Sequence, residues 1–285
     1  MIFDNHESLS SWWSEEIFSD HREIKNKIIM NSSKNLCVIL SYNAELTIID
    51  FIERILKIDY KKKIDFIILD DCSNDKTYEV TQKFINNFVS SNFKIITSEK
   101  NLGFGGNLKK ALSLSMDKKY DNLAILHGDG QYPPEYLDTM FTDLELSDLV
   151  LGSRMKKKIN ALNGKMPLIR FIGNIFLTSI QNFIFKRNFS EWHTGFTGLR
   201  VKLLKNIPFN LNSNYFEISA QILIQFIIRK YKVSEFSIPT HYAQEKSHVN
   251  LIKYGFLTLY EVVIAKLTQL KILHIKRYLI DEDKK

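Results

Sequence analysis

The run His127-Gly128-Asp129-Gly130-Gln131-Tyr132-Pro133-Pro134-Glu135 is the densest chemistry in the chain. A carboxylate and a side-chain carbonyl two residues apart, Asp129 and Gln131, can share one hard divalent cation. Glycines on both sides of Asp129 let a ligand come close to the backbone, and Pro133-Pro134 stops one element and starts a helix. Asp-Gly is also a common turn dipeptide, but turn chemistry calls for neither His127 nor Gln131. Upstream, Asp70 and Asp71 stand side by side at the end of an apolar run. Carboxylates there can accept hydrogen bonds from a base or from ribose hydroxyls; a surface loop in which Ser73 or Asp75 caps a helix would use the same residues. Arg154, in Gly152-Ser153-Arg154, offers a forked donor to a phosphate or a carboxylate, or else is a surface cation.

These residues follow a regular alternation. Short β-rich runs, LCVILS at 36–41, IDFIIL at 64–69, FKIIT at 93–97, LAIL at 123–126 and DLVLG at 148–152, are separated by helical periods at 46–58, 75–89, 104–118 and 134–146. Apolar residues recur in those periods at helical spacing. Strand and helix repeated this way predict an α/β fold with a Rossmann-like, mostly parallel sheet and helices on both faces. In such sheets a ligand sits beyond the carboxyl ends of the strands, so SYNAE, DDCSND, NLG and HGDGQ should converge on one edge. After Ser153 the alternation stops; 165–187 and 215–230 read as helices with an irregular segment at 189–199 between them.

Composition narrows the classes. The chain has 285 residues, 45% hydrophobic and 25% charged, too apolar for disorder and sized for one large domain with additions. Residues 1–33 read as an N-terminal helical extension carrying Trp12, Trp13 and Phe18, 34–248 as the main domain and 249–285 as a C-terminal amphipathic helix and tail. Cys37 and Cys72 have no metal-ligand spacing and form no disulfide framework, which points to a reducing compartment. MIFDNHESLSSWW lacks the pattern of a secretory signal. The apolar stretches 168–185 and 254–273 are broken by polar and charged residues and read as packed or surface helices rather than membrane spans. Net charge is +7, with Lys156, Lys157 and Lys158 clustered, as suits contact with anionic lipid or phosphate, or a solvated basic face. No nucleic-acid-binding module is recognisable.

Taken in order, SYNAE, ILDDCSNDKT, NLGFGGNLKKAL, HGDGQYPPE, GSR and EWHTGF resemble the inverting family 2 glycosyltransferases of the GT-A fold, closest to the dolichyl-phosphate mannose synthase-like branch. The resemblance runs from Leu36 to Asn250. It implies that Tyr42, Glu45 and Asp71 contact the nucleotide, Asp71 near the base. Asp129 matches the second Asp of the family's D-x-D motif and would hold Mn2+ or Mg2+ on the diphosphate, with Gln131 as a further ligand. His127 departs from that motif, standing in a substrate-binding position where the first Asp is usual. Glu191, three residues before Thr194-Gly195-Phe196, lies where the family places an acid close to the acceptor, and a base there would take the acceptor's proton. Lys246 and His248 fall in the family's late cationic loop without its usual pattern.

The function this implies is transfer of a sugar from a nucleotide diphosphate donor to a hydroxyl of a glycan or lipid-linked glycan, in cell-surface polysaccharide or glycolipid synthesis. Glu191 and Asp129 are the catalytic candidates. A polyprenyl-phosphate acceptor is the alternative; a sugar-nucleotide nucleotidyltransferase or a non-catalytic nucleotide-sugar-binding protein are others. The nucleotidyltransferase would need a basic, Gly-rich phosphate loop where SYNAE stands. The expected location is cytoplasmic, peripheral on the inner face of the membrane.

Overall fold

The inner apolar runs form strands buried on both faces: all seven residues of β1 (Asn35–Ser41) are shielded from solvent. That is the pattern of a parallel strand covered above and below. The computed structural model describes residues 33–89, 92–158, 161, 164, 166–239 and 250–280. The N-terminal extension as far as residue 32, the late loop carrying Lys246 and His248, and residues 281–285 of the tail lie outside the described residues.

Four strands run parallel in the order β3 (Phe93–Thr97), β2 (Ile64–Asp70), β1 and β4 (Asn122–His127). Their register aligns Ser41 with Asp70, Asp70 with Thr97 and Leu40 with His127, so the strands end together at one edge. Helices α1 (Ile48–Leu56), α2 (Thr77–Phe88) and α3 (Gly103–Asp117) make the crossovers. In α1 the buried Ile48, Phe51, Ile52 and Ile55 fall on a single helical stripe. Alternate residues of β1 feed opposite faces: Cys37 and Ile39 join the core under α1 and α4 (Leu137–Asp143), while Leu36, Val38 and Leu40 join the core under α3 and α6 (Ile218–Ile228). Both cysteines are free, Cys37 inside β1 and Cys72 in the loop after β2.

The other half of the sheet departs from simple alternation. Next to β4 lies β6 (Thr197–Arg200), antiparallel to β4 and to β5 (Leu149–Ser153), and β7 (Val233–Ser237) closes the far side parallel to β5. The segment read as irregular at 189–199 thus ends in a strand. Because β6 runs against its neighbours, Thr197 pairs with Ile125 and Leu151 near their carboxyl ends. The residues just before it, Ser190 to Phe196, therefore arrive at the edge where the parallel strands finish.

Helices α5 (Leu168–Phe185) and α7 (Leu251–Gln269) pack on each other, and α7 also packs on α6. Val262, Ile264 and Ala265 of α7 belong to the main core. By length and composition alone α5 is long and apolar enough to cross a membrane. The polar residues that interrupt its sequence, Asn174 and Gln181 among them, are buried with Thr178 on its inner side.

Candidate active site

The loops after β1 and β2 are stitched into one shelf. Ser41 O accepts the Asp71 amide at 2.9 Å, the Asn43 amide donates to Ser73 Oγ at 2.9 Å, and the Asn74 amide to Asn43 Oδ1 at 2.9 Å. Asn43 and Cys72 take left-handed backbone conformations in these turns, at φ 51° and 56°. Asp70 is spent on the loop, accepting from the Ser73 hydroxyl and from Thr97 Oγ1 at 2.8 Å, so of the two adjacent carboxylates only Asp71 is left for a ligand. One oxygen of Asp71 takes the Leu102 amide at 2.8 Å, at the entry to α3. Burial raises the Asp71 pKa, partly offset by the backbone amides of Leu102 and Gly103. Glu45 accepts the Lys76 amide at 3.2 Å, and the Tyr42 hydroxyl, at the rim of the shelf, accepts from Asn74 Nδ2 at 3.2 Å.

Beside the shelf, β4 ends in the His127–Gln131 turn. The Asp129 carboxylate accepts the Gln131 amide on Oδ1 at 3.1 Å, and Gly130 adopts φ 68°, which its missing side chain permits. Thr47 Oγ1 pins the Gly128 carbonyl at 3.0 Å, and Arg54 Nη1 the Gly130 carbonyl at 3.3 Å. The turn thus uses one oxygen of Asp129, and Oδ2 accepts no hydrogen bond from the described residues. No three His, Cys, Asp or Glu side chains converge into a closed metal cage among the described residues. One carboxylate and one amide oxygen at an open turn still fit an ion such as Mg2+, which takes one or two carboxylates and completes its shell with substrate phosphates and water.

The His127 ring stands edge-on to Phe104 at 5.5 Å and to Tyr132 at 5.2 Å. Its Nε2 is buried without a hydrogen-bond partner among the described residues. Burial lowers its pKa; Asp129 opposes that shift and Arg154 adds to it. A Cβ on Gly195 would lie 2.6 Å from His127 Cε1 and 2.9 Å from a Tyr132 ring carbon, so only glycine lets the chain pass this close to the two rings. The Gly195 amide donates to the Tyr132 hydroxyl at 2.7 Å.

Arg154 follows β5 and Glu191 precedes β6, which brings the pair together across 37 residues of chain. Glu191 is wholly buried. It accepts from Arg154 Nη2, from Arg154 Nε at 3.0 Å, from the Arg154 amide at 2.7 Å and from Asn174 Nδ2 at 2.9 Å. The guanidinium also donates to the His193 carbonyl at 3.1 Å and lies 5.5 Å from the Tyr132 ring centre. A carboxylate held this way is an anchor for Arg154. Three of its four donors converge on Oε1, Oε2 takes only the Arg154 amide, and neither oxygen faces solvent. His193 shares a hydrogen bond through Nδ1 with the Tyr254 hydroxyl at 2.8 Å, and its Nε2 is buried without a partner among the described residues. Trp192 is fully buried, its Nε1 donating to Asn182 Oδ1 at 2.8 Å.

His127 ends β4, and Tyr42, Glu45, Asp71, Asp129, Gln131, Arg154 and Glu191 lie on the loops at the carboxyl edge of the sheet. Three contributors were not legible as site residues. Tyr132 sits inside the motif with no local sign of its contact to Gly195; Asn174 reads as an interruption of an apolar helix; Tyr254 comes from α7 and carries no local signal at all.

The family model described as Glycosyl transferase family 2 matches residues 36–207. Two proteins of Methanocaldococcus jannaschii, the uncharacterized protein MJ1222 and the uncharacterized protein MJ0544, are 25% and 26% identical to this chain. The first match covers 84% of this chain and 94% of the relative, the second 74% and 89%. Among solved structures, glucosyl-3-phosphoglycerate synthase from Mycobacterium tuberculosis, in complex with Mn2+, UDP-glucose and phosphoglyceric acid, superposes with a TM-score of 0.60 at 13% identity, over 92% of this chain and 86% of that one. TarS 1–349 of S. aureus superposes with a TM-score of 0.53 at 19% identity, over 86% and 67%. These likenesses share the GT-A fold, and with the match over residues 36–207 they make this chain a member of glycosyl transferase family 2, the nucleotide-sugar-dependent glycosyltransferases.

Proposed function

We propose that this glycosyltransferase moves one hexosyl unit, with inversion, from a nucleotide diphosphate to a lipid-borne acceptor, in the manner of the dolichyl-phosphate mannose synthase-like branch. The observation that carries the reading is the meeting, at one sheet edge, of the shelf bearing Asp71, the Asp129 turn and the buried Arg154–Glu191 pair. Tyr42, Glu45 and Asp71 bind the nucleotide, and His127 lines the donor pocket. Asp129 and Gln131 would hold Mn2+ or Mg2+, which when bound supplies positive charge to the departing diphosphate. The M. tuberculosis synthase, crystallised with Mn2+ and UDP-glucose, supports this by analogy. Arg154 contributes a second cation from the protein itself, and Glu191 holds its fork in place before the donor arrives.

The acceptor reading turns on Glu191. A sugar hydroxyl is weakly acidic and gains from a base, and for Glu191 to serve it would first have to release Arg154. A lipid phosphate has a second pKa near about 6 and is already ionised at neutral pH, so it attacks without one. Both Glu191 oxygens accept hydrogen bonds in a place closed to solvent. That favours a polyprenyl phosphate over the glycan hydroxyl suggested by residue types alone. The reading puts the enzyme at the inner face of the membrane.

The test is incubation with a panel of labelled nucleotide sugars, Mn2+, and either polyprenyl phosphate or a hydroxyl-terminated glycolipid. An inverted, mild-acid-labile glycosyl phosphate is expected. A product formed only on the hydroxyl and stable to mild acid would return Glu191 to the role of base. Absence of both transfer and donor hydrolysis across the panel would overturn the catalytic reading.

A further inference from the structure

Helix α5 is built inside out. Its buried side carries Asn174, Thr178 and Gln181, while Ile169, Ile172, Phe176 and Phe183 recur at helical spacing on the outside, Phe183 with 86% of its surface exposed. A helix that only had to pack on this protein's core would turn that stripe inward. Its neighbour α7 shows the same outward habit. Ile252, Phe256 and Tyr260, four residues apart, are 74%, 71% and 57% exposed. Two packed helices with this much outward apolar surface form a patch of the kind that marks a partner.

Charge selects the partner. The only acid on either helix is Glu261, which is buried, paired with Arg277 at 2.8 Å and hydrogen-bonded by the Tyr278 hydroxyl at 2.6 Å. Lys253 lies exposed near the start of α7, Lys271 just beyond its end, and Lys186 and Arg187 directly after α5. A second copy of the chain placed face to face would set cation against cation. An anionic bilayer offers hydrocarbon to the apolar stripe and negative headgroups to its flanks.

The inner sides of the same helices hold the segment beside Arg154. Asn174 donates to Glu191, Thr178 Oγ1 accepts the Trp192 amide at 3.3 Å, Asn182 accepts from the Trp192 indole, and Tyr254 meets His193. We propose that the outer faces of α5 and α7 form one apolar, cation-flanked surface that seats on an anionic lipid bilayer and so sets the Glu191–His193 segment at the membrane, where a lipid-borne acceptor arrives. The docking stands on the surface alone; only the delivery of acceptor rests on the function proposed above.

The full chain is sedimented with phosphatidylcholine vesicles, or with vesicles that also contain phosphatidylglycerol, at low and at physiological salt. Binding is expected on the anionic vesicles, weaker but still measurable at higher salt because apolar insertion is not screened. Phe176→Ser with Phe183→Ser, and separately Ile252→Ser with Phe256→Ser, should each lower partitioning by about tenfold or more, given what one buried aromatic or aliphatic side chain contributes. All four residues are outward-facing, so melting and thermal stabilisation by a nucleotide sugar, measured without vesicles, should stay as in the wild type. No binding to anionic vesicles at low salt overturns the proposal, as does unchanged binding by both double variants. Sedimentation velocity that shows a dimer dissolved by these same substitutions would assign the surface to a second copy and overturn it equally. Vesicle binding without any stabilisation by nucleotide sugars would leave the docking standing and remove the proposed transfer.

Discussion

Acidification should destabilise this protein in part through His193. The ring stands edge-on to Tyr254 at 5.5 Å, and its Nδ1 is tied to the phenol. Burial, above all, and then the contest between Glu191's charge, which favours the cation, and Arg154's, which opposes it, push its pKa down to about 4. In the unfolded chain an imidazole titrates near about 6.5. Between those values the unfolded state binds a proton that the folded state refuses, so stability is full above the unfolded pKa and falls as the pH drops through the window. At about pH 5 the loss comes to about 2 kcal/mol, rising to about 3 kcal/mol once both pKa values are passed. For a protein of this size about 2 kcal/mol corresponds to roughly 4–8 °C in the melting midpoint. The assay is thermal unfolding followed by circular dichroism at about pH 8 and about pH 5, on the wild type and on His193→Asn, which keeps a polar atom towards Tyr254. His127, whose pKa burial also lowers, and the carboxylates act in both proteins, so the difference between them isolates His193. The wild type should lose more of its melting midpoint than the variant, by that margin. Equal losses would show that His193 is not held neutral by its surroundings, and the reasoning would fail.

Asp129→Ala should lower sugar transfer by about a hundredfold or more, since charge on the departing group is worth several kcal/mol. Its melting temperature should hardly move, because among the described residues the carboxylate's one hydrogen bond is to the neighbouring Gln131 amide; full turnover in the variant, or in excess chelator, would remove Asp129 from the metal site. Arg154→Met should cost about 3–5 kcal/mol in urea unfolding by stranding a buried carboxylate. Adding Glu191→Leu should recover most of that loss, and a double variant no more stable than Arg154→Met would contradict the pairing energetics derived from this geometry.

The parallel half of the sheet was legible because its causes are local. Strands buried on both faces must be apolar along their whole length, and where the apolar run stops the edge begins; the runs ending at Leu69 and Leu126 therefore put Asp71 and Asp129 at one edge. The other half depended on partners distant in the chain. Thr197-Gly198-Leu199-Arg200 is too short and too mixed to announce a strand, and only its insertion between β4 and β5 makes it one. That antiparallel insertion carries Glu191 to Arg154, and burial beside Asn174 gives a residue that reads as a base four hydrogen bonds within the protein. The polar residues of α5 tell the same story. In sequence Asn174 interrupts an apolar helix; in the fold it lies with Thr178 on the buried side, where the two bond Glu191 and the Trp192 amide and bulk water is shut out. Residue types and spacing determine which groups stand at the edge. Burial and long-range hydrogen bonds, which no local window contains, decide what each is left able to do.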